Sequence, residues 1–295
     1  MMTAVTAAQS NLHSWTATAL TESNRAVSAF SDDIFYSADP RFALVTPAQI
    51  DALNPTMVRN WLRKMLPSSP LELELVGDFD LEDAIASAAI GTRPDVQSPP
   101  ATDAPRLQRG RAFRWLPVSS QEPQASLLYA WPVDGVAAAR QRRTLEILEW
   151  IFQTRIVEDI REGLGATYAP SVHSWESDSF PDQGYLQVNL SVAPRRAKVA
   201  QEHLVRIAQD LATKGITAEE LKRARTPLIQ AVDQHLQANP WIYHVVSQAQ
   251  TNPQALVMPH TRLHDLQTIT EADVEALAHD VLSPPPDFVA MVAAP

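Results

Sequence analysis

Three features of the 295-residue sequence predict an α+β fold in which a mostly antiparallel sheet packs against long helices. One is a helical stripe within residues 136–162, where Leu145, Leu148, Phe152, Ile156 and Ile160 recur three and four apart. Another is the alternation over residues 185–192: Leu186, Val188, Leu190 and Val192 take turns with Tyr185, Gln187, Asn189 and Ser191. That is the pattern of an antiparallel strand with one buried face. The third is the mixed order of strands and long helices, without the regular alternation a parallel α/β sheet would show.

Each element has a local reason. Thr46-Pro47-Ala48-Gln49 offers a capping threonine, proline at the first helical position and a capping-box glutamine. A helix is expected over residues 57–66, a proline break (LPSSP) over 66–70, and a short apolar strand over 71–76. Residues 92–105, TRPDVQSPPATDAP, hold four prolines and little apolar content, and read as a linker. SLLYAWPV, 126–133, reads as a strand, and the long helix 136–162 follows. Gly163 and Gly165 supply its C-cap and the turn out of it, into an extended segment over 167–175. Beyond strand 185–192, helices are expected near 195–214, 217–237 and 241–250. Capping boxes stand at Thr217-Ala218-Glu219-Glu220 and Thr270-Glu271-Ala272-Asp273, and a second proline break (SPPP) at 283–286.

Composition narrows the function classes. Acidic residues outnumber basic ones 34 to 24, for a net charge of −10, which argues against a nucleic-acid surface. With no cysteine, disulfide scaffolds, thiolate nucleophiles and Cys-based metal sites are excluded. No apolar run approaches the length of a membrane span. The first basic residue is Arg25, so no charged signal-peptide region opens the sequence. Two readings of compartment stay open: a cytoplasmic protein, or a stretch that begins downstream of an export signal.

Residues 57–76, MVRNWLRKMLPSSPLELELV, share a plan with residues 273–292, DVEALAHDVLSPPPDFVAMV. Both combine a helix, a proline-ended break and an apolar strand. Val58 aligns with Val274, Leu66 with Leu282, Pro70 with Pro286 and Leu73 with Val289, at a constant offset (274 − 58 = 216). Identities are few, so chance similarity and a true repeat both remain open. A repeat predicts tandem units of about two hundred residues. Residues 1–76 would then be the tail of a preceding homologous domain, and 77–295 a complete domain.

The segment Arg161-Glu162-Gly163-Leu164-Gly165-Ala166-Thr167-Tyr168 ends the long helix and leads into a strand. A long amphipathic helix ending in R-E-x-L-G-x-x-Y resembles the C-terminal half of pitrilysin/insulinase-family zinc metallopeptidases. LELELVGDFDLE, 71–82, is similar to the strand and Gly-Asp-x-Asp that open a domain in that family. The resemblance covers residue 46 to the C-terminus. It implies a clamshell domain that helps enclose and position a peptide, beside an N-terminal catalytic half in the same polypeptide or a paired subunit. It further implies that Arg161 holds a substrate carbonyl and Tyr168 hydrogen-bonds the scissile region and its developing oxyanion. Zinc-activated water attacks the peptide bond in that family, and many bacterial members are exported, so the periplasm is the expected compartment. Read without the resemblance, Arg161 is a solvated residue at the negative end of a helix and Tyr168 a core residue of a strand.

The zinc motif itself, H-x-x-E-H, is absent from the 295 residues. His260 and His264 have the i, i+4 spacing, with leucine in the glutamate position and Asp265 following. Surface histidines on an amphipathic helix, which Pro259 would start, are the preferred reading. Zinc is therefore expected in the full-length protein and not in this stretch. A catalytically inactive scaffold or partner subunit of the same family is the alternative. Arg106, Arg109, Arg111 and Arg114 read as a charged strand edge after the linker. Arg140, Arg142 and Arg143 open the long helix either as a solvated face or as a contact for an anion.

Overall fold

The structure is a computed structural model. It describes residues 2–21, 35–36, 39–69, 72–88, 103, 112–117, 124–133, 138–163, 170–177, 183–249, 254–286 and 288–293. The helices are α1 (Met2–Thr21), α2 (Pro47–Ala52), α3 (Pro55–Ser68), α4 (Leu81–Ala88), α5 (Ala139–Ile156), α6 (Ala197–Lys214), α7 (Ala218–Leu236), α8 (Asn239–Ser247), α9 (Gln254–Thr268) and α10 (Glu271–Leu282). A π-helical turn, Val157–Gly163, continues α5. The strands are β1 (Ala112–Pro117), β2 (Ala125–Pro132), β3 (Ser171–Glu176), β4 (Gly184–Val192) and β5 (Phe288–Ala293).

The five strands form one sheet in the order β1-β5-β2-β4-β3. Three of its four pairings are antiparallel, and β1 with β5 is parallel. The register of β2 on β4 sets Leu127 opposite Leu190, Tyr129 opposite Val188 and Trp131 opposite Leu186. These six side chains are buried together with α5, α6, α7 and α10. The expected helical stripe of Leu145, Leu148, Phe152, Ile156 and Ile160 forms the middle of that core. Burying each of these large side chains contributes about 1.5–3 kcal/mol relative to exposure.

The other face of the sheet is more polar. Ser126 and Ser191 approach to 3.4 Å, and His173 stands opposite Gln187. Tyr185, on the same face, stacks on Phe35 at 4.6 Å. Where β3 meets β4, Gly184 is fixed by close approach: an added Cβ would lie 2.9 Å from the carbonyl oxygen of Trp175.

All three capping boxes form. Thr46 with Gln49 caps α2, Thr270 with Asp273 caps α10, and Thr217 with Glu220 closes the start of α7. Two local expectations change. Pro259 lies inside α9, which begins at Gln254, so the proline does not start the helix. Residues 72–76 belong to no strand of the sheet, because a strand exists only with a hydrogen-bonded neighbour and none of the described strands lies beside them. The linker over 92–105 falls outside the described residues except Asp103, whose carbonyl accepts from Arg41 at 3.0 Å.

Candidate functional site

The motif that ends the long helix sits on an unusual turn. α5 holds its regular geometry while its stripe is buried, then widens into the π-helical turn over Val157–Gly163. Such turns occur mostly as short interruptions and often at functional sites. Ile160 anchors the turn in the core at 0% exposure. The backbone of Arg161 follows directly, on the last stretch of that turn. Tyr168 lies outside the described residues, so the structure fixes the base of the motif and not its far end.

Ion pairs tie the turn to two neighbouring helices. Asp159 Oδ2 lies 2.6 Å from His203 Nδ1 and 2.7 Å from Arg206, both on α6. Burial disfavours the Asp159 carboxylate, but hydrogen bonds from His203 and Arg206 outweigh it and hold its pKa below the ordinary value. Glu158 meets Arg223 of α7 at 3.2 Å. Just ahead of the turn, near the end of α5, Arg155 grips Glu220 at 2.7 Å and the carbonyl of Gly215 at 2.9 Å. Gly215, the C-cap of α6, has φ of +74°, a positive value that glycine adopts readily, and its carbonyl accepts from Arg155. Burial pushes the Glu220 pKa up, yet the bonds from Arg155 and from the Thr217 amide and hydroxyl carry it down to about 2. The turn beneath Arg161 is thus held by charge from α6 and α7.

The opposite end of α5 is equally charged, and its arginines pair within the fold. Arg140 bonds the Thr268 hydroxyl at 2.8 Å and Asp273 at 2.9 Å, joining α9 to α10. Arg142 pairs with Glu176 of β3 at 2.8 Å, and Arg143 with Glu146 at 3.5 Å. The three arginines expected as a solvated face or an anion contact are therefore engaged within the fold, Arg140 and Arg142 as ties between elements. Between α5, β3, α8 and α9 lies a cavity of about 510 Å³, lined by Arg143, Glu146, Glu149, Trp175, Trp241 and Arg262 among others. Arg262 reaches Glu146 across it at 2.7 Å.

The outer edge of β3 is partly closed. The amide of Val172 donates to Gln153 of α5 at 2.7 Å, and that of Ser174 to Glu149 at 3.0 Å. Burial raises the Glu149 pKa despite the bond from Ser174. A peptide strand could not add along β3 at these two amides without displacing α5 side chains. This closure has no sequence signal, since it depends on β3 lying beside α5.

His260 and His264 are exposed on α9, whereas Asp265 is buried at 8% exposure. Among the described residues no group of three His, Asp or Glu side chains could hold a metal ion, so the residues present do not fit zinc. Arg114 is on β1, the strand at the other edge of the sheet, while Arg106, Arg109 and Arg111 lie outside the described residues.

Comparison with known proteins agrees with this architecture. No curated protein matches. The periplasmic protease PqqL from Escherichia coli superposes with a TM-score of 0.70 at 14% identity, over 99% of this chain and 33% of that one. A mutant of the ferredoxin protease FusC, in complex with Arabidopsis ferredoxin, gives 0.77 at 14% identity, over 99% and 32%. A peptidase M16 inactive domain from Pseudomonas fluorescens gives 0.68 at 15% identity, over 100% and 71%. The chain thus spans about a third of the length of the two proteases, and at these identities the likeness is one of fold. The family described as the peptidase M16 inactive domain matches residues 52–228. That match covers more than half of the sequence, and the chain belongs to the M16 peptidase family as a region of its inactive-domain type.

Proposed function

We propose that this chain is the C-terminal, non-zinc-binding region of a zinc metalloendopeptidase, and that it helps enclose and position a peptide for hydrolysis. The observation that carries the reading is the π-helical turn under Arg161, continuous with the core helix α5 and tied by Asp159 and Glu158 to α6 and α7. A guanidinium on a turn held this way keeps its position when a substrate pulls on it. Arg161 holds a peptide carbonyl. Tyr168 offers a phenol donor to the scissile region, where charge develops in the transition state.

Zinc enters at the scale of the whole protein, since no described cluster of this chain fits it. The partner is an N-terminal catalytic half, in the same polypeptide or in a paired subunit, and the ligand is a peptide. A periplasmic location is supported by the likeness to PqqL, and the net charge of −10 disfavours nucleic acid. A catalytically inactive scaffold that binds peptides or an active subunit is the alternative, favoured by the absence of H-x-x-E-H in these 295 residues.

Kinetics of Tyr168→Phe in the intact protein test the reading. Loss of one oxyanion donor lowers kcat by about 100-fold or more in comparable sites. The expected result is a large fall in kcat with little change in peptide affinity. Equal losses in both would make Tyr168 a ground-state contact and remove its proposed role.

A further inference from the structure

The cavity between α5, β3, α8 and α9 has guanidinium donors on its wall that the fold does not match with acceptors. Arg143 and Arg262 both line it. Arg262 is only 6% exposed, and the side chain of Arg143 14%. The two guanidiniums share one carboxylate: Glu146 lies 2.7 Å from Arg262 through Oε1 and 3.5 Å from Arg143 through Oε2. The longer approach is an ion pair without a hydrogen bond, because Glu146 Oε2 has no hydrogen-bond partner among the described residues. The Nε atoms of Arg143 and Arg262 are likewise buried without one. Burial and the charge of Arg262 hold the Arg143 pKa below its ordinary value, against the attraction of Glu146 and Asp265. Buried charged donors left unpaired are costly, so this wall is completed by an acceptor that enters from outside.

The rest of the wall restricts what that acceptor is. Arg142 and Glu176 pair with each other at 2.8 Å, and Glu149 accepts from the Ser174 amide at 3.0 Å. The unmatched donors are therefore those of Arg143 and Arg262, whose planar forks match a carboxylate. Trp175 of β3 and Trp241 of α8 line the same space and are partly buried, so flat apolar surface stands beside the two arginines. The volume of about 510 Å³ lies in the range of small-molecule sites. Entry has a route as well. α8 has no buried residue, and Tyr243 on it is 52% exposed, which marks a wall that opens at low cost.

We propose that this cavity binds an aromatic carboxylate, with its charged group on Arg143 and Arg262 and its ring against Trp175 and Trp241. On binding, the two guanidinium planes turn part of their donors from the shared Glu146 to the ligand. A free aromatic acid and the C-terminal residue of a peptide present this same chemistry. A bare inorganic anion is a poorer occupant, because it leaves both indoles unused. The site lies at the other end of α5 from Arg161 and does not rest on the peptidase reading. An inactive scaffold would carry it equally, so either proposal can fail while the other stands.

Isothermal titration calorimetry on the polypeptide purified from its source cells tests the site, with three probes: N-acetyltryptophan, its uncharged amide, and a tripeptide ending in tryptophan. The acid should bind at least about tenfold more tightly than the amide. Arg262→Gln and Trp241→Ala should each weaken binding of the acid by about tenfold or more. A tripeptide that binds more tightly than the acid identifies a peptide C-terminus as the source, and one that binds no better identifies a free acid; both support the site. Should Arg262→Gln fail to fold, Trp241→Ala decides, because α8 has no buried residue to lose. Equal affinity for acid and amide overturns the proposal. So does the absence of binding at about 10 mM, which would leave water to serve the two guanidiniums. Binding of the acid that a folded variant leaves unchanged overturns it too, since the ligand would then sit elsewhere.

Discussion

Tyr129 shows how much a single buried atom can matter. Its ring lies in the core beside Trp131, at 6.0 Å between centroids, while its hydroxyl is buried without a hydrogen-bond partner among the described residues. Burial alone pushes the phenol pKa up, which keeps it neutral. A buried unsatisfied hydroxyl costs about 1–3 kcal/mol. Tyr129→Phe removes the orphan and keeps the ring, so the variant should be more stable by about 1 kcal/mol, with a higher urea midpoint and an unchanged m-value. A lower midpoint would mean that the hydroxyl has a partner. The odd parity of Tyr129 on β2 places it on the helix-facing side with Leu127 and Trp131. The missing partner is invisible to sequence because it depends on which atoms surround one oxygen.

At the scale of elements, the parts read from periodicity are those whose neighbours lie nearby in sequence. The stripe on α5, the alternation of β4 and the capping boxes all follow from local rules. What escaped was set by distant partners: the parallel pairing of β1 with β5, the engagement of Arg140 and Arg142 by other elements, and the closure of β3 by Gln153 and Glu149. The π turn escaped because widening a helix by one residue leaves the apolar spacing nearly intact. Arg161 was legible as a motif residue, whereas the support of its turn by Asp159, His203 and Arg206 was not.

The Arg155–Glu220 tie gives this scale its pH dependence. The ordinary Glu220 pKa of 4.5 falls to about 2 in the fold, so its carboxylate stabilises the native state fully above 4.5. That contribution is lost as pH falls from 4.5 towards 2. Glu220→Gln should therefore be less stable than wild type at neutral pH and show a shallower decline across that acid window in urea titrations. Parallel declines would show that Glu220 is not the group being protonated.

For the whole molecule, the α+β class and the mostly antiparallel sheet were legible because β4 alternates apolar and polar residues and strands and long helices come in mixed order. Family membership was legible from the motif around Arg161 together with the order of elements, although none of the three solved relatives exceeds 15% identity. No zinc motif was legible, since no histidine of this chain has the neighbours that H-x-x-E-H requires. Under the proposed reading, this region would act on a peptide only together with a metal-bearing half. The most direct test is peptide hydrolysis by the polypeptide purified from its source cells, with and without a zinc chelator, beside the 295-residue chain alone. Chelator-sensitive cleavage by the source-cell polypeptide, and none by the isolated chain, is the expected result. A source-cell polypeptide that binds the peptide but never cuts it would contradict the peptidase account and leave the scaffold.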